Sequence, residues 1–405
     1  MSSGSSLLLL KEKRNNFLRA EVGVLLHNLG KLSRAFLAHE RCLACKQLGL
    51  SLAASDKEYE DFDYDSIAGL VAEYITNPDT KLTKAERERL EPNAAVWLEP
   101  ATNNLLPENF RHLLQQKSIH LPAPLDDRTY AIGDFIEFQD KKWYEPKQSG
   151  PRILVIFPDG SKATELVEIS HHAASGVEKE GIPSGLGLQF QKPIYRATVF
   201  GFETPLDENK IESARTKVIE AASILDRTKI WKAVEEPFIM GVGDTRRPIN
   251  DVSLWDLSAS TAAFYKAAIA KLVFEKIWTS RDAFKWRLLH IGFDGLSFLE
   301  RSPTIGDLLG RQAALQSALD DVRKLLEETY PLGNEIYRDE NGSAFVVPDL
   351  DGDDTEGNRL RGLIETHILD TLKNSELYGE LRPRIRITEA HEQAAGLHEV
   401  LNSPP

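Results

Sequence analysis

The sequence predicts an α+β fold in two parts, on three observations. Apolar residues recur at helical spacing over much of the first 280 residues. A stretch near 128–170 switches to strand-like alternation, and from about 284 strand, helix, hairpin, helix and strand signals follow in turn. The expected organisation is a mostly helical domain over 1–280 with a small β insertion at about 128–200. A second domain over 281–390 and a tail over 391–405 complete the 405 residues.

The elements follow in order. Val22, Leu25, Leu26, Leu29 and Leu32 give one apolar helical face, so residues 7–50 read as helices. The acidic run Glu58, Glu60, Asp61, Asp63 and Asp65 reads as a solvated connection, and helical signals return over 70–90 and around 110–116. Residues 130–138 alternate like a strand, residues 152–157 form another that ends at Pro158-Asp159-Gly160, and Ala197 opens a third. A long helix begins near Ser253. From Trp255 to Trp278 it is apolar on nearly every side, which predicts burial by neighbours all round.

The second part opens with a buried strand, Trp286 to Gly292, leading to Asp294. An amphipathic helix over 305–330, a hairpin over 335–347, a helix over 360–372 and an alternating strand over 383–388 complete it. That order is the one of a ferredoxin-like or palm domain.

Composition narrows the function. The 62 acidic side chains exceed the 49 basic ones for a formal charge of -13, which argues against binding nucleic acid through bulk charge. The apolar run Leu7–Leu10 is too short for a secretory signal, and no stretch reaches the roughly 20 apolar residues of a membrane span. With two cysteines there is no disulfide framework, and the expected location is cytoplasmic.

Several residues can carry chemistry. His27-Asn28 has the form of a helical His-Asp metal dyad with the carboxylate replaced by an amide. A true dyad can hold two metal ions that activate water against a phosphodiester. The alternative is a histidine packed on a helix. His171-His172 are natural metal ligands that also occur without a metal. Asp256 is either a ligand at the start of the long helix or, with Ser253, a capping box, and we favour capping. Cys42-Leu-Ala-Cys45 lacks the second pair a structural zinc needs, although His39 stands near it. Gly241-Val-Gly243-Asp-Thr-Arg246-Arg247 reads as a plain loop rather than a phosphate cradle, and Asp351-Gly-Asp353-Asp354 as an acidic connector.

Asp294, Asp339 and Glu340 are the stronger candidates. Nucleotidyl transfer by two metal ions needs acids at the end of one strand and in an adjacent hairpin. Asp339-Glu340-Asn341-Gly342 is also a strong tight-turn signal, and both readings can hold together.

Taken together, Leu25-Leu26-His27-Asn28-Leu29-Gly30-Lys31, His171-His172, the segment from Ser253 to Ala263 and the stretch Trp286–Pro348 resemble the large subunit of type III CRISPR effector complexes, in particular Csx-type variants. The resemblance implies a permuted HD-like domain followed by a first palm domain. It also implies nucleotide binding at Asp294, Asp339 and Glu340, with ATP and a divalent ion (Mg or Mn) as cofactors. The implied partners are the other effector subunits, guide RNA and a second palm-containing chain.

Two departures imply an inactive HD nuclease: Asn28 stands where the family has an acid, and Leu257 where it usually has a histidine. The family's cyclase hairpin, Gly-Gly-Asp-Asp in a second palm, has no counterpart before Pro405, so the chain is expected to be an N-terminal fragment or half of a split subunit. An assembly and nucleotide-binding role is therefore expected. The alternative is an enzyme in its own right, either a phosphohydrolase at His27, His171, His172 and Asp256 or a nucleotidyl cyclase at the palm acids.

Overall fold

A computed structural model describes residues 3–32, 51, 98–99, 104–105, 116–125, 128–136, 143–147, 150–154, 162–179, 195–197, 203–205, 207–224, 226–241, 252–278, 284–349, 355–377 and 380–392. Cys42, Cys45, His39, the acidic run at 58–65, the helical signals at 70–90 and 110–115, residues 242–250 and Asp351–Asp354 lie outside the described residues. The chain mixes helices with small antiparallel sheets. No described helix is long and apolar enough to cross a membrane.

The axis of the molecule is the long helix expected from the sequence, Leu254–Glu275, here α6. Ser253 accepts the Asp256 N–H and Asp256 accepts the Ser253 N–H at 2.8 Å, which makes the capping box. The helix ends at Lys276, whose φ of 57° lies in the left-handed region that stops a helix. Ala262, Ala263, Ala267, Ala268 and Ala270 are all buried, so small side chains let neighbours approach from several directions. Those neighbours are α1 (Ser3–Leu25), α3 (Lys162–Lys179) and a four-stranded sheet. The first of these, α1, buries Leu10, Phe17, Ala20, Val24 and Leu25, then tightens into a 3-10 turn, Leu26–Lys31, that carries His27 and Asn28 inward.

The strand expected over 130–138 is corrected. After the short strands Leu98–Glu99 (β1), Asn104–Leu105 (β2) and Ile119–His120 (β3), Thr129–Tyr130 (β4) is extended, but Ile132–Ile136 (α2) is helical. The Asp134 carboxylate accepts the Ala131 N–H at 2.8 Å and satisfies a helix-end donor, so local capping overrides the alternation. The strand expected at 152–157 overlaps β6 (Gly150–Leu154), which pairs with β5 (Trp143–Lys147), a strand not expected from the sequence. The one expected to open at Ala197 meets only the end of β7 (Tyr195–Ala197), which pairs with β8 (Glu203–Pro205). Residues 155–157 and 198–202 lie outside the described residues. Between them lies the 18-residue helix α3, so the stretch 128–200 is not purely β. Two further helices, α4 (Glu208–Ala222) and α5 (Arg227–Met240), pack on each other.

The sheet comprises β9 (Trp286–Gly292), β10 (Glu335–Asp339), β11 (Gly342–Pro348) and β12 (Arg384–Ile387), in the order β10-β11-β9-β12 with every neighbour antiparallel. Strands β9 and β10 are joined by α7 (Gly295–Glu300) and α8 (Ile305–Lys324), the latter running into a π-helical turn at Leu325–Thr329. Helix α9 (Thr355–Lys373) leads to β12. Strand, helix, hairpin, helix and strand thus follow in the order read from the sequence. Arg338 bonds Gln316 and Asp320 of α8, so the row Arg338–Ser343–Ile291–Ile385 faces that helix. The neighbouring rows, Tyr337–Ala344–His290–Arg386 and Asp339–Gly342–Gly292–Arg384, face the other way because side chains alternate along a strand. On that second face α6 covers the Trp286 end: Trp286 Nε1 donates to the Phe264 carbonyl at 2.9 Å and the two rings meet edge to face.

A buried ionic cluster joins the helices to the sheet. Glu21 of α1 accepts both arms of Arg227 at 2.9 and 2.7 Å, Lys266 of α6 at 3.1 Å and the Asn334 amide at 2.8 Å. Glu327 accepts Arg227 at 2.8 Å and the Glu335 N–H at 2.9 Å. Burial opposes ionisation of Glu21, but the charges of Arg227 and Lys266 outweigh it and hold the carboxyl below its usual range. For Lys266 burial prevails, and the ammonium is pushed down to about 8, with Arg227 adding repulsion. Both pKa values fall, which favours the charged form of Glu21 and the neutral form of Lys266: burial is the larger cause at Lys266, and Arg227 attracts one partner and repels the other. The fork on Glu21 makes its ionisation the firmer of the two.

Candidate functional site

The first candidate centre is the turn after α1. His27 and Asn28 are both buried, at 3% and 1% exposure. The His27 Nδ1 faces the Val24 carbonyl and donates to it, which leaves Nε2 as an acceptor. Two N–H groups converge on that nitrogen: His171 Nδ1 at 3.1 Å and Asn28 Nδ2 at 2.9 Å. Asn28 Nδ2 also donates to Ser258 Oγ at 3.1 Å, while its Oδ1 is buried with no partner among the described residues. Burial pushes His27 down to about 3, so the ring is neutral at physiological pH.

This set does not fit a metal ion. The nitrogen a metal needs already accepts two donors, and the converging groups are imidazoles, an amide and a hydroxyl with no carboxylate. Among the described residues no three His, Cys, Asp or Glu side chains converge as metal ligands. The structure therefore brings together His27, Asn28 and His171, and adds Ser258, which sequence reading missed. His172 stays apart, with Nδ1 on the Glu168 carbonyl at 2.9 Å. Asp256 is exposed and occupied by its capping box, and Leu257 beside it is buried core.

The second centre is the far end of the sheet, where Asp294 follows β9 and the hairpin tip carries Asp339 and Glu340. The tip sits directly on the segment after β9. The Phe293 N–H donates to the Asn341 carbonyl at 2.6 Å and the Leu296 N–H to Asn341 Oδ1 at 3.3 Å. A Cβ built on Gly295 would stand 1.6 Å from the Glu340 carbonyl oxygen, so only glycine permits this approach. Gly342, at φ 144°, closes the turn in a conformation few other residues adopt. Asp339 accepts the Asn341 N–H at 2.8 Å and the Tyr337 hydroxyl at 3.2 Å. Its turn role is therefore filled, and both of its oxygens are engaged.

Beside Asp294 opens a cleft of about 540 Å³ between the end of β9, α7 and the start of β12. Arg301, Arg382, Arg384 and Arg386 line it, with Glu380 and Asp294 as its acids. The His290 ring lies over Gly292, where an added Cβ would come within 2.9 Å of it. Burial and the Arg386 charge lower the His290 pKa against an opposing pull from Asp339. Asp339 and Glu340 do not line the cleft, so the three acids divide between two adjoining surfaces. Alternation of Arg382, Arg384 and Arg386 along a strand is visible in the sequence, where it signals only a strand.

No protein-family model and no curated protein sequence matches the chain. Solved structures do match. A crystal structure of a Csm1–Csm4 cassette in complex with cA4 aligns over 94% of this chain and 45% of its own, at 13% identity and a TM-score of 0.47. The Csm1–Csm4 subcomplex of the type III-A CRISPR-Csm interference complex aligns with the same coverages, identity and TM-score. Csm1 in T.onnurineus aligns over 92% of this chain and 44% of its own, at 13% identity and a TM-score of 0.44. The chain thus spans less than half the length of the structures it matches.

Proposed function

We propose that the chain is a large-subunit-like component of a type III RNA-guided antiviral effector complex, acting in assembly and nucleotide binding without a working HD nuclease. In this reading the helical part is a degenerate HD-like domain and the sheet domain is a ferredoxin-like palm. The observation that carries it is the docking of the Asp339–Gly342 tip on the Phe293–Leu296 segment. That contact joins the hairpin tip to the segment that carries Asp294, on an antiparallel sheet with the strand order of a ferredoxin-like fold, which supports the reading. Asp294, Asp339 and Glu340 are the proposed nucleotide-facing groups, and ATP is the proposed ligand.

The wiring of His27 supports the loss of phosphohydrolase chemistry. An active centre needs an open nitrogen and an anionic ligand. Here the nitrogen is occupied and residue 28 is a neutral amide. A cyclase reaction would need a second palm, and a partner chain carrying one, with guide RNA and further effector subunits, belongs to the same proposal.

The test is calorimetric titration of the full chain with ATP, with and without Mn, against Asp294→Ala/Asp339→Ala. Saturable binding lost in the double variant is the expected result. Absence of binding by the unaltered chain under both conditions would remove the nucleotide from the proposal and leave assembly alone.

A further inference from the structure

Several of the described arginines pair with acids. Arg227, Arg287, Arg311, Arg338 and Arg361 each bond a carboxylate. Arg301, Arg382, Arg384 and Arg386 line one cleft, and none of them has an ion-pair partner among the described residues. In a protein with 62 acids against 49 bases, four unpaired guanidiniums in one place are the exception. Of the two acids in the same cleft, Glu380 is already taken by Arg311 at 3.2 Å. The place is locally cationic although the whole chain is anionic.

Its shape is linear. Arg382, Arg384 and Arg386 are exposed and alternate through β12 and the residues before it, so they stand on one face, about 7 Å from one to the next. Strand β12 is an edge of the sheet, which leaves the row open along its length. Inward from the row the floor is low. Arg384 pairs across to Gly292, and Gly292 to Gly342, neither of which has a side chain. The His290 ring stands above this floor in register with Arg386. A file of guanidiniums beside a shallow floor with one flat ring is the arrangement that tracks a sugar-phosphate backbone and stacks a base.

We infer that the ridge Arg382–Arg384–Arg386, with Arg301 and His290, binds single-stranded RNA through successive phosphates. This goes beyond the proposed function: Asp294 is common to the two, whereas Asp339 and Glu340 lie outside the cleft.

The test is fluorescence anisotropy of a labelled 20-nucleotide RNA with the full chain across a salt series. Arg382→Ala/Arg384→Ala/Arg386→Ala is expected to weaken binding about tenfold or more. It should also flatten the salt slope by about 2, at roughly 0.7 for each phosphate that no longer meets an arginine. The exposed positions make misfolding a minor concern, and circular dichroism checks it. Calorimetry with ATP on the same variant separates the two sites. Retained ATP binding with lost RNA binding supports the ridge, and Asp339→Ala/Glu340→Ala should give the reverse. Loss of both ligands in the arginine variant would overturn the strand reading in favour of a phosphate pocket. No RNA binding by the unaltered chain, or equal binding by the variant, would overturn it outright.

Discussion

Glu21 Oε1 and Lys266 Nζ meet 3.1 Å apart with both side chains wholly buried. They belong to helices α1 and α6, and the Asn334 amide, just before β10, reaches the same oxygen. A buried charge that loses its partner is expensive, whereas a pair removed together often costs little. Because Glu21 keeps the Arg227 fork and the Asn334 amide, Lys266→Met is expected to destabilise the protein by about 1–3 kcal/mol in urea unfolding. Glu21→Gln should act similarly through Arg227, and Glu21→Leu/Lys266→Met should cost clearly less than the two single changes summed. Simple additivity would show that the pair is not coupled.

His27 gives a prediction with pH. Its pKa falls from 6.5 to about 3 on folding, so below 6.5 the unfolded chain takes up a proton that the folded chain refuses. The stability tied to it is complete above pH 6.5 and declines as pH drops from there toward 3. Between pH 7 and pH 5 the unaltered protein should lose about 2 kcal/mol more than His27→Gln. Identical pH profiles for the two proteins would contradict the neutral, hydrogen-bonded ring.

Asn28→Asp tests the wiring around that ring. A carboxylate beside His27 and His171 supplies the anionic ligand the native set lacks. Mn should raise the melting temperature of the variant, and EDTA should lower it again. The unaltered protein should respond to neither. An equal Mn response in both proteins would mean that the amide is no obstacle.

Two glycines should respond in opposite directions to alanine. At Gly295 the new methyl meets the Glu340 backbone at 1.6 Å, and backbone cannot yield cheaply. A loss of about 1–3 kcal/mol, with weaker ATP binding, is expected. At Gly310, within α8, nothing lies within 4 Å of the new atom. There Gly310→Ala should gain about 0.5–1 kcal/mol. Chemical denaturation of both variants reads the two signs.

Periodicity made the large elements legible. α6, α8, the hairpin and β12 each carry enough turns or alternations for local pattern and tertiary burial to agree. Residues 130–136 failed because a single carboxylate, Asp134, caps a short helix and outweighs a few alternating side chains. The sites were legible only where one segment held the whole signal. Asp256 declared its cap through Ser253, three residues away. Ser258 meets Asn28 across 230 positions, and no local pattern announces that meeting. The arginine cleft stayed hidden for another reason. A net charge of -13 averages over the whole chain, whereas a ligand meets only the few charges on one face.

The ionic cluster at Glu21 also constrains the order in which the chain is built. Its partners lie 206, 245 and 313 residues further along. Throughout synthesis the first helix thus carries a carboxylate destined for the interior whose last partner emerges only after residue 334. The N-terminal helices cannot close early as a finished unit, since long-range interactions of this kind are slow to form and must be complete to be favourable. A chain stopped at residue 280 would retain Arg227 and Lys266 but lack Asn334 and Glu327, and should show looser helices by circular dichroism and hydrogen exchange. Maturation of the helical half thus waits on the arrival of the sheet.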